Sequence, residues 1–372
     1  NNTDNTFQGW LDLRIAAGNQ DINGSLGTWK STYPDHPAQS LAKSLMNLHK
    51  QQANVKTALK SEGGIALIMP LTAEPYAAKA DAFKLGLETA IAKRGFANPL
   101  KIYPSTGENT DEIRTLAKGE GNTYFIVTDF DTETAASKID RGGPDTLLYL
   151  GLNLADEANR MTDFALRHAM QHMVVITTAN EASAPMLNSF QQIWEAKFGD
   201  DGEHKTPLPI ITLPRDIASA GNDLLELKSK IATASYDLLI LAMPEADIRQ
   251  VKPYLDISIP AITFSNVNEI SDAATAHDLN TLRFVDMPFL ISKNSDLFKD
   301  YASAAESLNS HELTRWFALG VDSLSLLQIE QSEPLKELSI NGLSGSLDLD
   351  SSGNLARTLS LARFTHDGIV AE

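Results

Sequence analysis

Residues 63–87 read GGIALIMPLTAEPYAAKADAFKLGL. A short apolar run leaves a glycine pair, meets a proline, and gives way to helical periodicity from Ala77. Strand, loop and helix in that order open an α/β domain, and such openings often hold a phosphate or a cofactor. This loop, Leu71 to Tyr76, lacks the glycines of a phosphate cradle: neither GxGxxG nor GxxxxGK followed by Ser or Thr occurs there. Glu74 would repel a phosphate at the helix N-terminus, so Thr72 or Glu74 is read as a helix cap.

The same alternation continues outward. β-rich runs recur at Ile65–Leu71, Leu100–Tyr103, Tyr124–Thr128, Thr146–Leu150, Val174–Thr178, Ile210–Leu213, Leu238–Ala242, Ala261–Phe264 and Leu282–Val285. Helical periodicity fills most gaps, as in Ala77–Arg94, Thr110–Lys118, Met161–His172, Ala184–Phe198 and Ala218–Ala234. Strand–helix alternation predicts parallel sheets with right-handed crossovers. Too many units recur for one sheet, so two doubly wound lobes are expected. After Asp286-Met-Pro288 the order changes to a long helix, Asn309–Glu330, and a hairpin near Ser339–Phe364. Before Gly63 the chain is helical: Trp10 to Ala16, Leu26 to Tyr33 and, after Pro34-Asp-His-Pro37, Ala38 to Leu59.

Composition narrows the function. A chain of 372 residues with 42% hydrophobic content can bury more than one core. Its formal charge of -17 argues against nucleic acid and against an anionic membrane face. No apolar run is long enough to span a bilayer as a helix. The absence of cysteine removes disulfides, thiolate catalysis and cysteine metal sites. The chain opens at Asn1 without a methionine or a signal peptide. It is therefore expected to be a piece whose targeting segment and lipid anchor lie outside it.

Each catalytic or metal pattern meets a missing part. Asp348-Leu-Asp350-Ser-Ser352-Gly353 begins like a calcium loop, yet Leu359 stands where the bidentate glutamate belongs, and a hairpin turn is expected instead. His168 and His172 would share a helical face, but Ala169 replaces the glutamate of HExxH. Ser40-Leu-Ala-Lys43 matches SxxK without an accompanying SDN or KTG, and no GxSxG elbow occurs. No catalytic residue, cofactor or metal site is expected.

The end of the chain carries a resemblance. Arg315-Trp-Phe-Ala-Leu-Gly-Val-Asp322, Gly342-Leu-Ser-Gly345-Ser-Leu-Asp-Leu-Asp350, and Leu361-Ala-Arg-Phe364 with Gly368 closely resemble the C-terminal half of the LpoA/LppC lipoproteins. Ile65–Leu71 is similar to that family's first strand, and Ile259-Pro-Ala through Leu282–Pro288 to its segment leading into Asp-x-Pro-Trp. Gly9-Trp-Leu with Trp29 and Tyr33–Pro37 resembles the close of the family's helical-repeat domain. Phe289 and Leu361 depart from it, each standing where the family usually has tryptophan.

The resemblance implies a type I periplasmic-binding-protein-like α/β fold, two doubly wound lobes joined by three crossovers and preceded by a short helical segment. The expected division is 1–60 helical, 61–172 plus 291–332 for the first lobe, and 173–290 plus 333–372 for the second. Arg315, Trp316, Phe317 and Leu319 are read as core from their helical spacing. The resemblance also implies a function. The family member is an outer-membrane lipoprotein that reaches across the periplasm and activates a bifunctional class A penicillin-binding protein in peptidoglycan biosynthesis. It is an enzyme regulator of cell-wall synthesis and cell shape, and no catalyst.

The same fold also supports a different function, a periplasmic solute receptor closing on a small polar ligand. Cleft residues would then lie at the carboxyl ends of strands: Thr72, Glu74, Ser105, Asp129, Asn153, Thr178, Asn180, Met243, Glu245, Ser265 and Asp286. That set is rich in oxygens and contains no arginine to clamp a carboxylate. For each residue the bland alternative is a helix cap or a crossover hydrogen bond.

Overall fold

A computed structural model describes residues 2–17, 22–34, 36–39, 42, 63–71, 76–131, 135–140, 145–198, 208–269, 277–292, 298–329 and 338–372. The chain opens with α1 (Asn2–Ala17) and α2 (Ile22–Thr32), held together by Leu13, Leu26 and Trp29. Trp29 Nε1 donates to Gly9 O at 2.7 Å. The third helix expected over Ala38–Leu59 lies almost wholly outside the described residues.

Gly63–Leu87 then begins the first sheet. β1 (Gly64–Met69), β2 (Leu100–Pro104), β3 (Asn122–Asp129), β4 (Lys138–Asp140) and β5 (Thr146–Gly151) lie in the order β2-β1-β3-β5-β4, all parallel except the edge strand β4. Every residue of β1 is buried, as a strand covered on both faces requires. Ile65, Leu67 and Met69 pack with α3 (Ala77–Arg94), while Ala66 and Ile68 pack against Ile113 and Ala117 of α4 (Thr110–Gly119). Gly95 ends α3 in the left-handed region, at φ 68°, with its N–H on Ile91 O.

After β5 the chain crosses to the second sheet through α5 (Leu154–Arg167). That sheet takes β6 (Met173–Thr178), β7 (Ile210–Leu213), β8 (Leu238–Ala242), β9 (Ala261–Thr263) and β10 (Arg283–Asp286). One face packs on α7 (Gly221–Thr233) and α8 (Glu245–Val251), the other on α5 and α6 (Ala184–Phe198). A second crossing follows β10, through the short α9 (Pro288–Ile291) and α10 (Lys299–Ala305) to the long α11 (His311–Ile329). A small antiparallel sheet of β11 (Leu338–Asn341), β12 (Ser346–Leu349) and β13 (Leu355–Thr358) comes next. The third crossing leads to β14 (Ser360–Thr365) and β15 (Gly368–Ala371), which complete the second sheet in the order β15-β14-β10-β9-β8-β6-β7.

Three sequence expectations shift. The helix read over Met161–His172 is α5, which starts earlier because Asn153 Oδ1 accepts from Ala155 N and caps it. It ends before Ala169, whose φ of 52° cannot continue a helix, so His168 and His172 do not share a helical face. α5 buries Ala158, Met161, Phe164 and Ala165 against the second sheet, whereas the expected division at 172 places it in the first lobe. The hairpin expected near Ser339–Phe364 is two structures. Leu343, Leu347, Leu349, Leu355 and Leu359 pack with α11 in the first core, and only β14 and β15 extend the second sheet. The calcium-like loop is the β12–β13 turn, where Asp350 Oδ1 accepts from Ser352 N and Asn354 N.

The first core centres on the crossing of α3 and α11. A Cβ at Gly86 would stand 2.1 Å from Phe317 O, and one at Gly320 would stand 2.1 Å from Phe83 O. The two backbones therefore touch through glycines on both sides. Phe83, Leu87, Phe317 and Leu324 fill the flanks. Replacing Gly320 with Ala must push the helices apart, and about 1–3 kcal/mol of unfolding free energy should be lost in a urea titration.

Candidate functional site

Where the three crossings meet, residues of both lobes line an open cavity of about 320 Å³. Its wall includes Lys79 of α3, Asp156 and Glu157 of α5, Ser265 and Asn266 after β9, Asp286 at the end of β10, Arg315 and Trp316 of α11, and Arg357 of β13. Almost every element that crosses between the lobes contributes to it.

Arg315 is the centre of the wall. Its side chain leaves the first turns of α11 and enters the second lobe, where Nε and Nη2 each donate to Asp286 at 2.9 Å. Nη2 also donates to Ser265 O at 3.0 Å, and Nη1 pairs with Glu269. Asp286 in turn accepts from Asn268 Nδ2 and from Met287 N, both at 2.7 Å. Burial works against the guanidinium charge, but Asp286 and Glu269 outweigh it and hold its pKa above the ordinary value. A bidentate, multiply hydrogen-bonded arginine is the form in which a buried charge is tolerated.

Two further anchors come from the family-like motifs. Asp322, two turns along α11 from Arg315, accepts from Leu343 N at 2.8 Å, Ser344 N at 2.7 Å and Ser344 Oγ at 2.6 Å. Its carboxylate sits where a side chain at Gly342 would have to go, 2.3 Å from that position. Burial raises the Asp322 pKa, against the pull of the Ser344 and Leu343 hydrogen bonds. Arg357 donates to Gly151 O at 3.1 Å and pairs with Asp156 at 3.4 Å, joining β13 to the first crossing.

Glu157 differs from the other carboxylates. Its oxygens accept from Ser265 N at 2.7 Å and Ser265 Oγ at 2.9 Å, which caps the turn after β9. It makes no ion pair among the described residues. Half-buried at the cavity wall, its carboxyl is pushed up to about 7, chiefly by burial and partly by the nearby Asp286, against the pull of Ser265 and Arg315.

The residues expected at strand ends scatter. Asn153, Ser265 and Asp286 come together in the cavity. Thr72 and Glu74 lie outside the described residues. Ser105 accepts from Gly107 N and donates to Asn109 Oδ1, closing the turn into α4. Asp129 is exposed and accepts from Asp131 N, and Asn180 caps a helical turn by accepting from Ala182 N. Thr178 is buried between Ser183 and Asp247, tying β6 to α8. Met243 is core, with its carbonyl accepting from Asn266 Nδ2. Glu245 pairs with Arg249 along α8.

Sequence reasoning missed Glu157, Asn266, Glu269, Arg315 and Arg357 as site residues. A signal existed for the arginines. Arg315 interrupts an apolar helical stripe, and Arg357 occupies an inward position of β13, between buried and exposed neighbours that alternate. A charge at such a position needs a buried partner.

Comparison with known proteins agrees with this architecture. The family model described as "LppC putative lipoprotein" matches residues 129–367. A protein named penicillin-binding protein activator LpoA, from Histophilus somni strain 129Pt, is 23% identical over 402 residues, covering 99% of this chain and 65% of that protein. The chain thus spans slightly less than two-thirds of that relative's length. Full-length LpoA from Haemophilus influenzae superposes with a TM-score of 0.65 at 18% identity, covering 99% of this chain and 69% of that one. A protein of Chromobacterium violaceum, described as a "putative branched-chain amino acid ABC transporter", gives 0.64 at 21% identity over 81% of this chain and 99% of that one. Both likenesses establish the fold, a bilobal α/β arrangement of the periplasmic-binding-protein type.

Two measurements check the wall. Arg315→Met leaves Asp286 buried without its cation and should cost about 3–5 kcal/mol in urea unfolding, with most of it recovered on adding Asp286→Asn. Glu157 behaves oppositely to a stabilising carboxylate. Its folded pKa of about 7 lies above the ordinary 4.5, so the folded state holds a proton that the unfolded chain releases. That contribution is full below the unfolded value and is lost as pH rises through the folded one. Glu157→Gln should therefore flatten the fall of the melting temperature between those values and melt above the parent at alkaline pH.

Proposed function

Because this chain belongs to the LppC family, we propose that it acts as a non-catalytic periplasmic regulator that binds and stimulates a bifunctional class A penicillin-binding protein. The observation that carries this reading is the cross-braced boundary between the lobes. Arg315 ties α11 to the second crossing at Asp286, and Arg357 ties β13, which leads into the third, to the first crossing at Gly151 and Asp156. A scaffold braced in this way presents a fixed outer surface. A fixed surface loses little conformational freedom on docking, which favours tight binding to another protein.

Activation adds a thermodynamic condition. The chain must bind the synthase's active arrangement more tightly than its resting one, since only differential affinity shifts an equilibrium. The formal charge of -17 suits a partner patch rich in Lys and Arg. Among the described residues, one hydroxyl–carboxylate contact lies in the cavity wall, Ser265 with Glu157, and it caps a turn, since Ser265 N donates to the same carboxylate. That geometry supports a structural duty for the pair. In the cell we place the protein at the inner face of the outer membrane, held by a lipid anchor belonging to a longer polypeptide.

The direct experiment adds the purified chain to a purified class A synthase and follows peptide cross-linking and glycan polymerisation. We expect cross-linking to rise, and the gain to weaken as salt is added. A rate indifferent to the chain at concentrations that give a measurable complex would exclude activation, and absence of a complex would exclude the partner.

A further inference from the structure

We propose that the free edge of β15 is a strand-addition site for an extended acidic segment of another protein. The inference does not depend on the synthase partner. It starts from the backbone. Glu372 N donates to Leu361 O at 2.9 Å, while Phe364 turns the other way, donating to Leu282 O and accepting from Thr281 N. With Arg363 of β14 opposite Val370 of β15, these bonds fix the phase of the hairpin. Gly368 and Val370 point their N–H and C=O groups at β14, and Ile369 and Ala371 point theirs away from it. Among the described residues, no strand pairs with that outer side.

Exposed edges are ordinarily blocked by charge, proline or shortness, and the other edges of the two main sheets follow that rule. β2 carries Lys101 and Pro104, β4 is three residues long with Lys138 and Asp140, and β7 lies between Pro209 and Pro214. β15 reads Gly-Ile-Val-Ala, keeps an unbroken register, and leaves Val370 47% exposed. Glu372, the acid that follows, is drawn back over the sheet by Arg283 at 2.7 Å and Arg363 at 2.6 Å.

Charge selects the occupant. Arg283 and Arg363 stand directly opposite one another in β10 and β14, and share the single carboxylate of Glu372. Directly opposed residues share a face, so Val370 lies on the same side of the sheet as both arginines. Arg283 lies over Phe164 of α5, 5.6 Å from its ring centre. Arg160 and Arg167, four residues before Phe164 and three after it, stand on that side of the helix. Neither has an ion pair among the described residues. Asp163, whose charge acts on Arg160, is taken by Lys197 at 2.7 Å. A cationic shelf thus borders an open strand edge, on a chain whose formal charge is -17.

A strand added to β15 would run about 10 Å from β14, two strand spacings, within joint reach of a glutamate and the Arg363 side chain. Side chains alternate, so acids on the Val370 side place apolar residues on the Ile369 side, where Ile369 packs against the second core. The fitting segment alternates acidic and apolar residues over about five positions. Two apolar residues opposite Ile369 and Ala371 would exchange main-chain bonds with them, and an acid would stand opposite Val370. The main-chain bonds supply affinity and the arginines supply selection.

The experiment titrates the full chain with N-terminally labelled, C-terminally amidated peptides and follows fluorescence anisotropy. Glu-Val-Glu-Val-Glu should saturate below about 1 mM at low salt and weaken as salt is added. Lys-Val-Lys-Val-Lys, and the acidic peptide with both valines N-methylated, should each bind at least about tenfold more weakly. Ala371→Pro removes an outward N–H, spares the bonds to β14, and should weaken the acidic peptide at least about tenfold with little change in melting temperature. Ala371→Val keeps the N–H and should bind as the parent does. Replacing Arg160 and Arg167 together with Ala should weaken binding at least about threefold and flatten its salt dependence. The N-methylated peptide makes the backbone test on the unaltered chain. The proposal is overturned if the acidic peptide fails to saturate by about 10 mM. It is also overturned if the lysine or N-methylated peptide binds as tightly, or if Ala371→Pro binds as the parent does. A dimer seen by sedimentation that Ala371→Pro dissolves would overturn it too, since the edge would then belong to a second copy.

Discussion

A guanidinium taken out of water has to be repaid in full by its surroundings, and Arg315 meets that requirement only while the two lobes stay where they are. Its helix belongs to the first core, through Trp316, Phe317 and Leu319, whereas its acceptors belong to the second lobe and the second crossing. Sliding one lobe against the other would strip Asp286 and Ser265 O from the guanidinium together. Such a pair adds little net stability over an apolar substitute, but it makes alternative lobe positions costly. Its value is therefore geometric: it selects one arrangement.

α11 can serve this way because its two sides do different work. Phe317 and Gly320 face α3 at backbone contact. Arg315 and Asp322, seven residues apart and so nearly aligned on a helix, take up the polar contacts to Ser265, Asp286 and the Gly342–Ser344 turn. The motifs around Arg315–Asp322 and Gly342–Gly345, distant in sequence, are thus two halves of one joint. Gly342 carries no side chain because the Asp322 carboxylate occupies that space. Gly345 lies at φ 147° with Thr358 O close beneath it, a position where a side chain would collide.

Much of this was legible in the sequence. β1, β6 and β8 are short apolar runs bounded by turns and buried at every position, and β3 and β5 are mostly buried runs rich in aromatic and aliphatic residues. The helix over Thr110–Lys118 was legible for a related reason, its polar and apolar residues separating cleanly around the axis. What failed were joints. Periodicity places the start of α5 at Met161, while its true start at Leu154 depends on the Asn153 cap and on which sheet lies nearby. The strand-end rule for cleft residues found Asn153, Ser265 and Asp286 but could not find Arg315, Glu157 or Arg357. Those reach the cavity from helices and from β13, and the pairing of lobes that brings them there is a long-range fact.

The braced joint and the cavity bear on one another. In a receptor that works by closing, the hinge must bend, and its polar groups must find partners in both the open and the closed state. Here Asp286 alone accepts from Arg315, Asn268 Nδ2 and Met287 N in a single arrangement, so bending would orphan several groups at once. A ligand entering such a cavity would find its walls already in place. Its free energy would go into strengthening the existing lobe geometry and little into moving it. The cavity and the lobe geometry thus share one set of contacts, those that Arg315 makes with Asp286 and Ser265 O.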